Sequence, residues 1–389
     1  MTLDEAAASV GISAATLRRW VRDGVLPEYR GEWTPEVIGQ ARLVARMRER
    51  GHSLSEIRAA TEEGRLAFGH VADLFSGNEP ALTLRDASRR TGLDAELIER
   101  LMTMLGMRTA DTLTEDDLEL LRYVAAVLEA GLPLEAMLQL TRVYGQALAQ
   151  IADAEVRLVH LYVHEPLMRS GSSAAEMADE LVGLTGSLLP LASPVLDQIH
   201  RRMLAHFIEQ DVVGHMEAEL EDGDGSGVGR MRVAIAFADL AGYTRLTEEE
   251  GELHALDVVE RFTDAVTVTL PDDARVIKTI GDEVMIVGSD PVALAEWAVG
   301  FQALQSERPL PRIAVHYGYA LYRDGDYYGR EVNLASRVAA RSAGGEVLVT
   351  RPIVDAVGSE LEFDRIGEVR LKGFTAPTEI FLARPRPEG

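Results

Sequence analysis

The sequence contains no cysteine, which removes disulfides, thiolate metal sites and cysteine nucleophiles from consideration. Lysine and asparagine are nearly absent too. Lys278 and Lys372 are the only lysines among 39 basic residues, and Asn78 and Asn333 are the only asparagines. A codon bias toward arginine accounts for the shortage, and under it a retained lysine or asparagine marks a place where its own chemistry matters. A compact ammonium and a broad planar guanidinium are not interchangeable in a tight site. Positive charge is short overall: 63 acidic residues against 39 basic give a formal net charge of −24. That argues against nucleic-acid affinity as a whole-chain property and leaves room only for a local basic face. Long apolar runs are missing as well. The longest uncharged stretch, Leu181 to Leu196, falls short of the roughly 20 residues of a membrane span and contains Pro190 and Pro194. Met1 is followed by Thr-Leu-Asp-Glu, not by a basic segment and an apolar core, so neither a signal peptide nor a membrane span is expected, and a cytoplasmic location is.

What is present is a chain of 389 residues, 47% hydrophobic, with material for two or three domains. Its first half carries a repeat. Thr2-Leu3-Asp4-Glu5-Ala6-Ala7, then Val10-Gly11-Ile12 and Thr16-Leu17, reads as two short helices joined at a glycine. Thr83-Leu84-Arg85-Asp86-Ala87-Ser88, then Thr91-Gly92-Leu93 and Leu97-Ile98, repeats the pattern. Thr34-Pro35-Glu36 and Thr114-Glu115-Asp116 each open a further helix. Residues 1–80 and 81–150 are therefore expected to be two copies of one helical unit. Residues 151–229 read as further helix ending in a flexible linker, Glu221 to Gly229. Between Val195 and Leu220 the apolar residues recur every three or four positions, an amphipathic stripe that needs a partner helix.

From 230 to 389 the texture changes to short apolar strands alternating with helices. Strands are expected at 232–240, 275–280, 284–287, 312–321 and 346–350, and helices at 253–270, 291–304 and 331–342. A hairpin at Gly281-Asp282 mixes antiparallel pairing with strand–helix–strand units, which predicts an α+β sandwich of ferredoxin-like type behind the all-helical half.

Three motifs in this part carry chemistry. Phe237-Ala238-Asp239-Leu240-Ala241-Gly242-Tyr243-Thr244 puts a carboxylate at the end of an apolar strand, before a turn into a helix whose N–H groups suit phosphates. Lys278-Thr279-Ile280-Gly281-Asp282 puts a second carboxylate at a hairpin tip, with a lysine four residues earlier. Asp326-Tyr327-Tyr328-Gly329-Arg330-Glu331-Val332-Asn333-Leu334-Ala335-Ser336-Arg337 opens a helix on which Asn333 and Arg337 lie one turn apart and point the same way.

Together these motifs resemble the catalytic domain of class III nucleotidyl cyclases over about residues 230 to 385. The resemblance implies a homodimer that converts ATP to cyclic AMP and pyrophosphate at its interface. It assigns Asp239 and Asp282 to two Mg²⁺ or Mn²⁺ ions, and hard divalent ions do prefer such oxygen ligands. Asn333 matches the residue that orients the ribose, Arg337 the one that offsets transition-state charge, and Lys372 the one that contacts the triphosphate. Lys278 and Asp326 match the pair that reads adenine: an ammonium for N1 and a carboxylate for the N6 amino group. Guanine would be mispaired with both, which favours adenylyl over guanylyl cyclase. Glu283 departs from the pattern, standing where many relatives have glycine.

The helical copies resemble the winged-helix domain of MerR-type regulators, through Ile12-Ser13 to Trp20, Gly24-Val25-Leu26-Pro27 and Arg50-Gly51-His52-Ser53-Leu54-Ser55-Glu56-Ile57. Two roles compete for this half. Arg18, Arg19 and Arg22 on a second short helix suit DNA phosphates, but acids balance bases in the first copy and exceed them in the second, and the segment between Leu26 and Thr34 is a very short wing. The whole arrangement resembles actinobacterial adenylyl cyclases with an autoinhibitory N-terminal domain, which implies control by pH or a fatty acid. His160, His164, His200, His206 and His215 precede the linker, and histidine titrates near neutrality. His160 and His164 have helical spacing but no evident third ligand, so no metal is expected there.

Overall fold

The computed structural model describes residues 2–26, 33–62, 82–107, 113–169, 174–220 and 230–386. The expected linker Glu221 to Gly229 and most of the short wing lie outside them. The chain divides into two compact units, Met1–Met203 and Leu204–Gly389.

In the first unit the repeat is visible helix by helix. Leu3–Val10 and Leu84–Thr91 each begin with a threonine, Thr2 or Thr83, whose hydroxyl accepts from the backbone N–H three residues on. The acid at that position, Glu5 or Asp86, reaches back to the threonine N–H, so two otherwise orphaned donors are satisfied reciprocally. Gly11 and Gly92 then close the two helices in the left-handed conformation, with φ of 76° and 77°. Ala14–Arg22 and Ala95–Met104 follow, then Pro35–Glu49 and Glu115–Glu129, capped by Thr34 and Thr114. Each copy closes on its own core: Leu17, Trp20, Ile38 and Ile57 in the first, Ile98, Leu101, Leu118 and Leu121 in the second. After Leu54–Glu62 in the first copy and Leu134–Val159 in the second, a single π-helical turn spans His160–His164.

The helix Ala174–Leu220 runs for 47 residues, with Pro190 and Pro194 inside it. Val195, Ile199, Met203, Leu204, Phe207, Ile208 and Val212 of its stripe are all exposed. No described helix is long and apolar enough to cross a membrane.

The second unit is built on a mixed sheet. Its strands are β1 (Arg230–Leu240), β2 (Arg275–Ile280), β3 (Glu283–Gly288), β4 (Pro311–Arg323), β5 (Asp326–Tyr328), β6 (Val347–Thr350), β7 (Leu361–Val369) and β8 (Thr378–Pro385). They lie in the order β2-β3-β1-β4-β6-β8-β7, with β5 paired to β4, and only the β4–β6 pair is parallel. The strands and helices expected at 232–350 are all present with ends shifted by a few residues, and the unit is α+β. The helix expected after the turn at Gly242 is Tyr243–Glu250, while the helix Arg351–Val357 and strands β5, β7 and β8 are additional to that reading.

Both faces of the central strands are covered, so β1 reads as a continuous apolar run. Ala234, Ala236 and Ala238 face one core, with Leu294, Trp297 and Phe301 from the helix Pro291–Leu304. Val233, Ile235 and Phe237 face the other, with Val332, Ala335 and Val338 from the helix Arg330–Ala339.

Candidate active site

Strand alternation decides which side each polar group takes. On β1, Asp239 continues the odd-numbered series of Val233, Ile235 and Phe237, so its carboxylate faces the side of the helix Arg330–Ala339. On β3 the same side holds Met285, and hence Glu283. On β4 it holds Ala314, and hence Arg312 and His316.

Asp239 is 8% exposed and is directly opposite Arg312 in the β1–β4 register. Nε of Arg312 donates to its Oδ2 at 2.8 Å, and Nη2 donates to the same oxygen. Gly281, with φ of 65°, makes the β2–β3 turn in the left-handed region open to glycine, and the turn brings Asp282 against Asp239. Burial, a hydrogen bond with Asp239 and repulsion by its charge push the Asp282 carboxyl up to about 7. Two carboxylates that share a site cannot both ionise cheaply. Burial likewise raises Glu283, as does Asp239, while Arg312, Arg337 and Lys278 pull it down.

A divalent cation fits this arrangement. Oxygen donors from the end of β1 and from the β2–β3 turn converge, burial and mutual repulsion raise one of them, and a hard cation would relieve that repulsion. Among the described residues no group of three or more histidine, aspartate or glutamate side chains is placed to hold an ion. In the helices, His160 and His164 lie with their Nδ1 atoms 3.3 Å apart, and Glu165 Oε1 comes within 3.9 Å of His160 Nε2.

Lys278 on β2 and Asp326 on β5 meet directly, Nζ to Oδ2 at 2.5 Å, although 48 residues separate them. The other oxygen of Asp326 accepts from the Tyr327 N–H at 2.8 Å. Asn333 and Arg337 stand exposed on one face of the helix Arg330–Ala339, whose other face is buried through Val332, Leu334, Ala335, Val338 and Ala339. Lys372 is exposed in the loop between β7 and β8. The structure thus joins Asp239 with Asp282 and Lys278 with Asp326. It leaves Asn333, Arg337 and Lys372 without a hydrogen bond to either pair.

Two further groups hold the site and were not singled out from the sequence. One is Arg312. The other is the buried His316 with the partly buried Glu331, joined Nε2 to Oε2 at 2.8 Å, with His316 Nδ1 2.7 Å from Thr350 Oγ1. Burial pushes the imidazole down and Glu331 pulls it back up. Gly318 leaves room for the pair: a Cβ there would lie 2.9 Å from His316 Nε2. The pair anchors the first turn of the helix that carries Asn333 and Arg337.

Comparison with known proteins covers the chain in three parts. Residues 1–63 match the MerR HTH family regulatory proteins, residues 38–208 the adenylate cyclase regulatory domain, and residues 311–384 the adenylate and guanylate cyclase catalytic domain. An uncharacterized protein of Mycobacterium tuberculosis is 31% identical over 90% of this chain and 91% of its own length. An adenylate cyclase of Streptomyces coelicolor is 33% identical over 71% of each chain. A pH-sensitive adenylate cyclase of Mycobacterium tuberculosis is 28% identical over 89% of this chain and 88% of its own length.

Proposed function

The chain belongs to the adenylate cyclase family, and from that premise we propose that it forms 3′,5′-cyclic AMP and pyrophosphate from ATP at the interface of a homodimer. The observation that carries the mechanism is the closure of Asp282 on Asp239.

In this reading Asp239 and Asp282 hold two divalent ions, Mg²⁺ or Mn²⁺. When bound, these ions supply Lewis-acid stabilisation of the ribose 3′-oxygen and of the triphosphate. Arg312 fixes one oxygen of Asp239 and leaves the other for a cation. Lys278 donates to adenine N1 and Asp326 accepts from the N6 amino group. Their mutual contact keeps both groups partnered until a base with the complementary edge arrives. Asn333 orients the ribose, and Arg337, one turn further along the same helix face, meets the charge that builds on the α-phosphate. Lys372 contacts the triphosphate. The metal carboxylates of one subunit work with the base, ribose and phosphate groups of the other. The exposed stripe residues Val195, Ile199, Met203, Leu204, Ile208 and Val212 are where a second copy packs.

The helical half regulates turnover in response to pH or a fatty acid. The likeness over most of its length to a pH-sensitive relative supports this, as does the burial of His164. A second reading, DNA binding by the first copy, has in its favour the match of residues 1–63 and the exposed Arg18, Arg19 and Arg22 on Ala14–Arg22. Salt-dependent retention of a DNA duplex by the full chain would support it, and none is expected of so acidic a protein.

The direct test is cyclic AMP formation from ATP with Mg²⁺ or Mn²⁺ by the full chain and by Asp239→Ala and Asp282→Ala. Wild-type turnover and its loss in both variants are expected. A folded variant that keeps full metal-dependent activity would overturn the assignment of the ligands.

A further inference from the structure

Three residues before Lys278, β2 carries another cation that the mechanism leaves unused. Nη2 of Arg275 donates to the hydroxyl of Tyr327 at 3.0 Å. The guanidinium carbon lies 5.9 Å from the centroid of the Tyr327 ring and 5.3 Å from that of Phe207. Tyr327 is 2% exposed, so its hydroxyl sits where water does not replace a lost partner.

The placement of these groups ties the two arms of the adenine pair together. Lys278 stands on β2 just beyond a break in the β2–β3 register between Val276 and Lys278. Asp326 opens β5, a three-residue strand that pairs with β4. Neither arm is held by a long regular ladder. Arg275 lies on the first and grips Tyr327, the neighbour of Asp326, on the second. The long helix closes on the same spot from Leu204 onward, where it shares a compact unit with the sheet. Phe207 covers the guanidinium, and the side-chain amide of Gln210, three residues later on the same helix face, donates to the carbonyl of Asp272. A guanidinium can donate to one hydroxyl while lying against two aromatic faces, which an ammonium cannot do.

Resting on the adenylyl cyclase reading above, we propose that Arg275 is a positioning residue for purine recognition. It locks β2 to β5 through Tyr327 so that Lys278 and Asp326 meet the base edge in register. Phe207 covers it and Gln210 ties the helix to the backbone of Asp272, three residues before it, so that nucleotide affinity and base choice follow the position of the end of the long helix.

The test uses the full chain and four variants: Arg275→Lys, Tyr327→Phe, Phe207→Ala and the Phe207→Ala/Arg275→Lys double. KM and kcat are measured with ATP and with GTP, together with the Mn²⁺ concentration for half-activation and the melting temperature. Arg275→Lys and Tyr327→Phe are expected to raise KM for ATP by about fivefold or more, to leave kcat within about twofold, and to narrow the ATP-over-GTP preference. Half-activation by Mn²⁺ should not move, since Asp239 and Asp282 are untouched. Phe207→Ala should shift KM in the same direction by less, and the double variant should add nothing to Arg275→Lys. Tyr327→Phe keeps the ring and so guards against a simple packing defect. An unchanged KM and base preference in folded Tyr327→Phe and Arg275→Lys would overturn the positioning role. A normal KM in Phe207→Ala alongside a raised one in Arg275→Lys would remove the helix from it. Wild-type protein that makes no cyclic AMP from ATP would overturn the underlying reading instead.

Discussion

Arg312 and Asp239 face each other across β1 and β4, and the guanidinium gives two nitrogens to a single carboxylate oxygen, Oδ2. The pair is poorly exposed, at 31% for the arginine side chain and 12% for the aspartate. Removing the cation therefore strands a carboxylate that is already repelled by Asp282. Arg312→Ala is expected to lower stability by roughly 2 kcal/mol, less than a fully buried pair would cost, and to cut turnover well beyond that of Arg312→Lys. Equal activity in the two variants, with unchanged melting, would show that the contact does not hold the site.

The raised carboxyl of Asp282 makes the metal-free protein pH-sensitive in a defined direction. Its folded pKa of about 7 lies above the ordinary value of 3.8, so between those values the native state holds a proton that the unfolded state has released. Stability from this group is fully present below about pH 4 and is lost as pH rises through 7. Without divalent ions, the melting temperature of the wild type should fall more between pH 5 and 8 than that of Asp282→Asn. Mn²⁺ should raise melting more at pH 8 than at pH 5, and that gain should vanish in Asp239→Asn. Parallel melting curves for wild type and Asp282→Asn across pH would refute the coupling.

Base choice is expected to reside in the contact between Lys278 and Asp326. Changing them to Glu and Cys should reduce ATP turnover by at least about a hundredfold, because the donor and acceptor that meet the base edge would both be mispaired. Turnover of GTP relative to ATP should rise. A folded double variant with unchanged ATP preference would refute these roles.

Sharing of each site between subunits has a quantitative signature. Asp239→Ala and Arg337→Ala homodimers should each be nearly inactive, because every site lacks one group. In a mixed dimer both lesions fall in one site and the other is intact. With random 1:1 pairing on co-expression, roughly a quarter of wild-type activity should return. Mixed dimers that form and recover no activity would speak against shared, independent sites.

Much of this protein is legible residue by residue, because the rules involved are local. The capping boxes at Thr2 and Thr83 and the glycine stops at Gly11 and Gly92 follow from backbone groups that must be satisfied within one turn. The strand that ends at Asp239, the turn at Gly281-Asp282 and the common face of Asn333 and Arg337 need only periods of two and 3.6 residues and the chemistry of a tight turn. β7 escaped this kind of reading because its residues are mostly exposed, so no apolar run announces it.

The partnerships were decided by the tertiary structure. Arg312 grips Asp239 from 73 residues away, Arg275 reaches Tyr327 across 52, and His316 finds Glu331 and Thr350 at once. The sheet order β2-β3-β1-β4-β6, with β5 on β4 and the helix Arg330–Ala339 over one face, brings these partners together. That order is set by which faces of all eight strands and their covering helices can be buried together, a condition on the whole unit that no local stretch of sequence expresses.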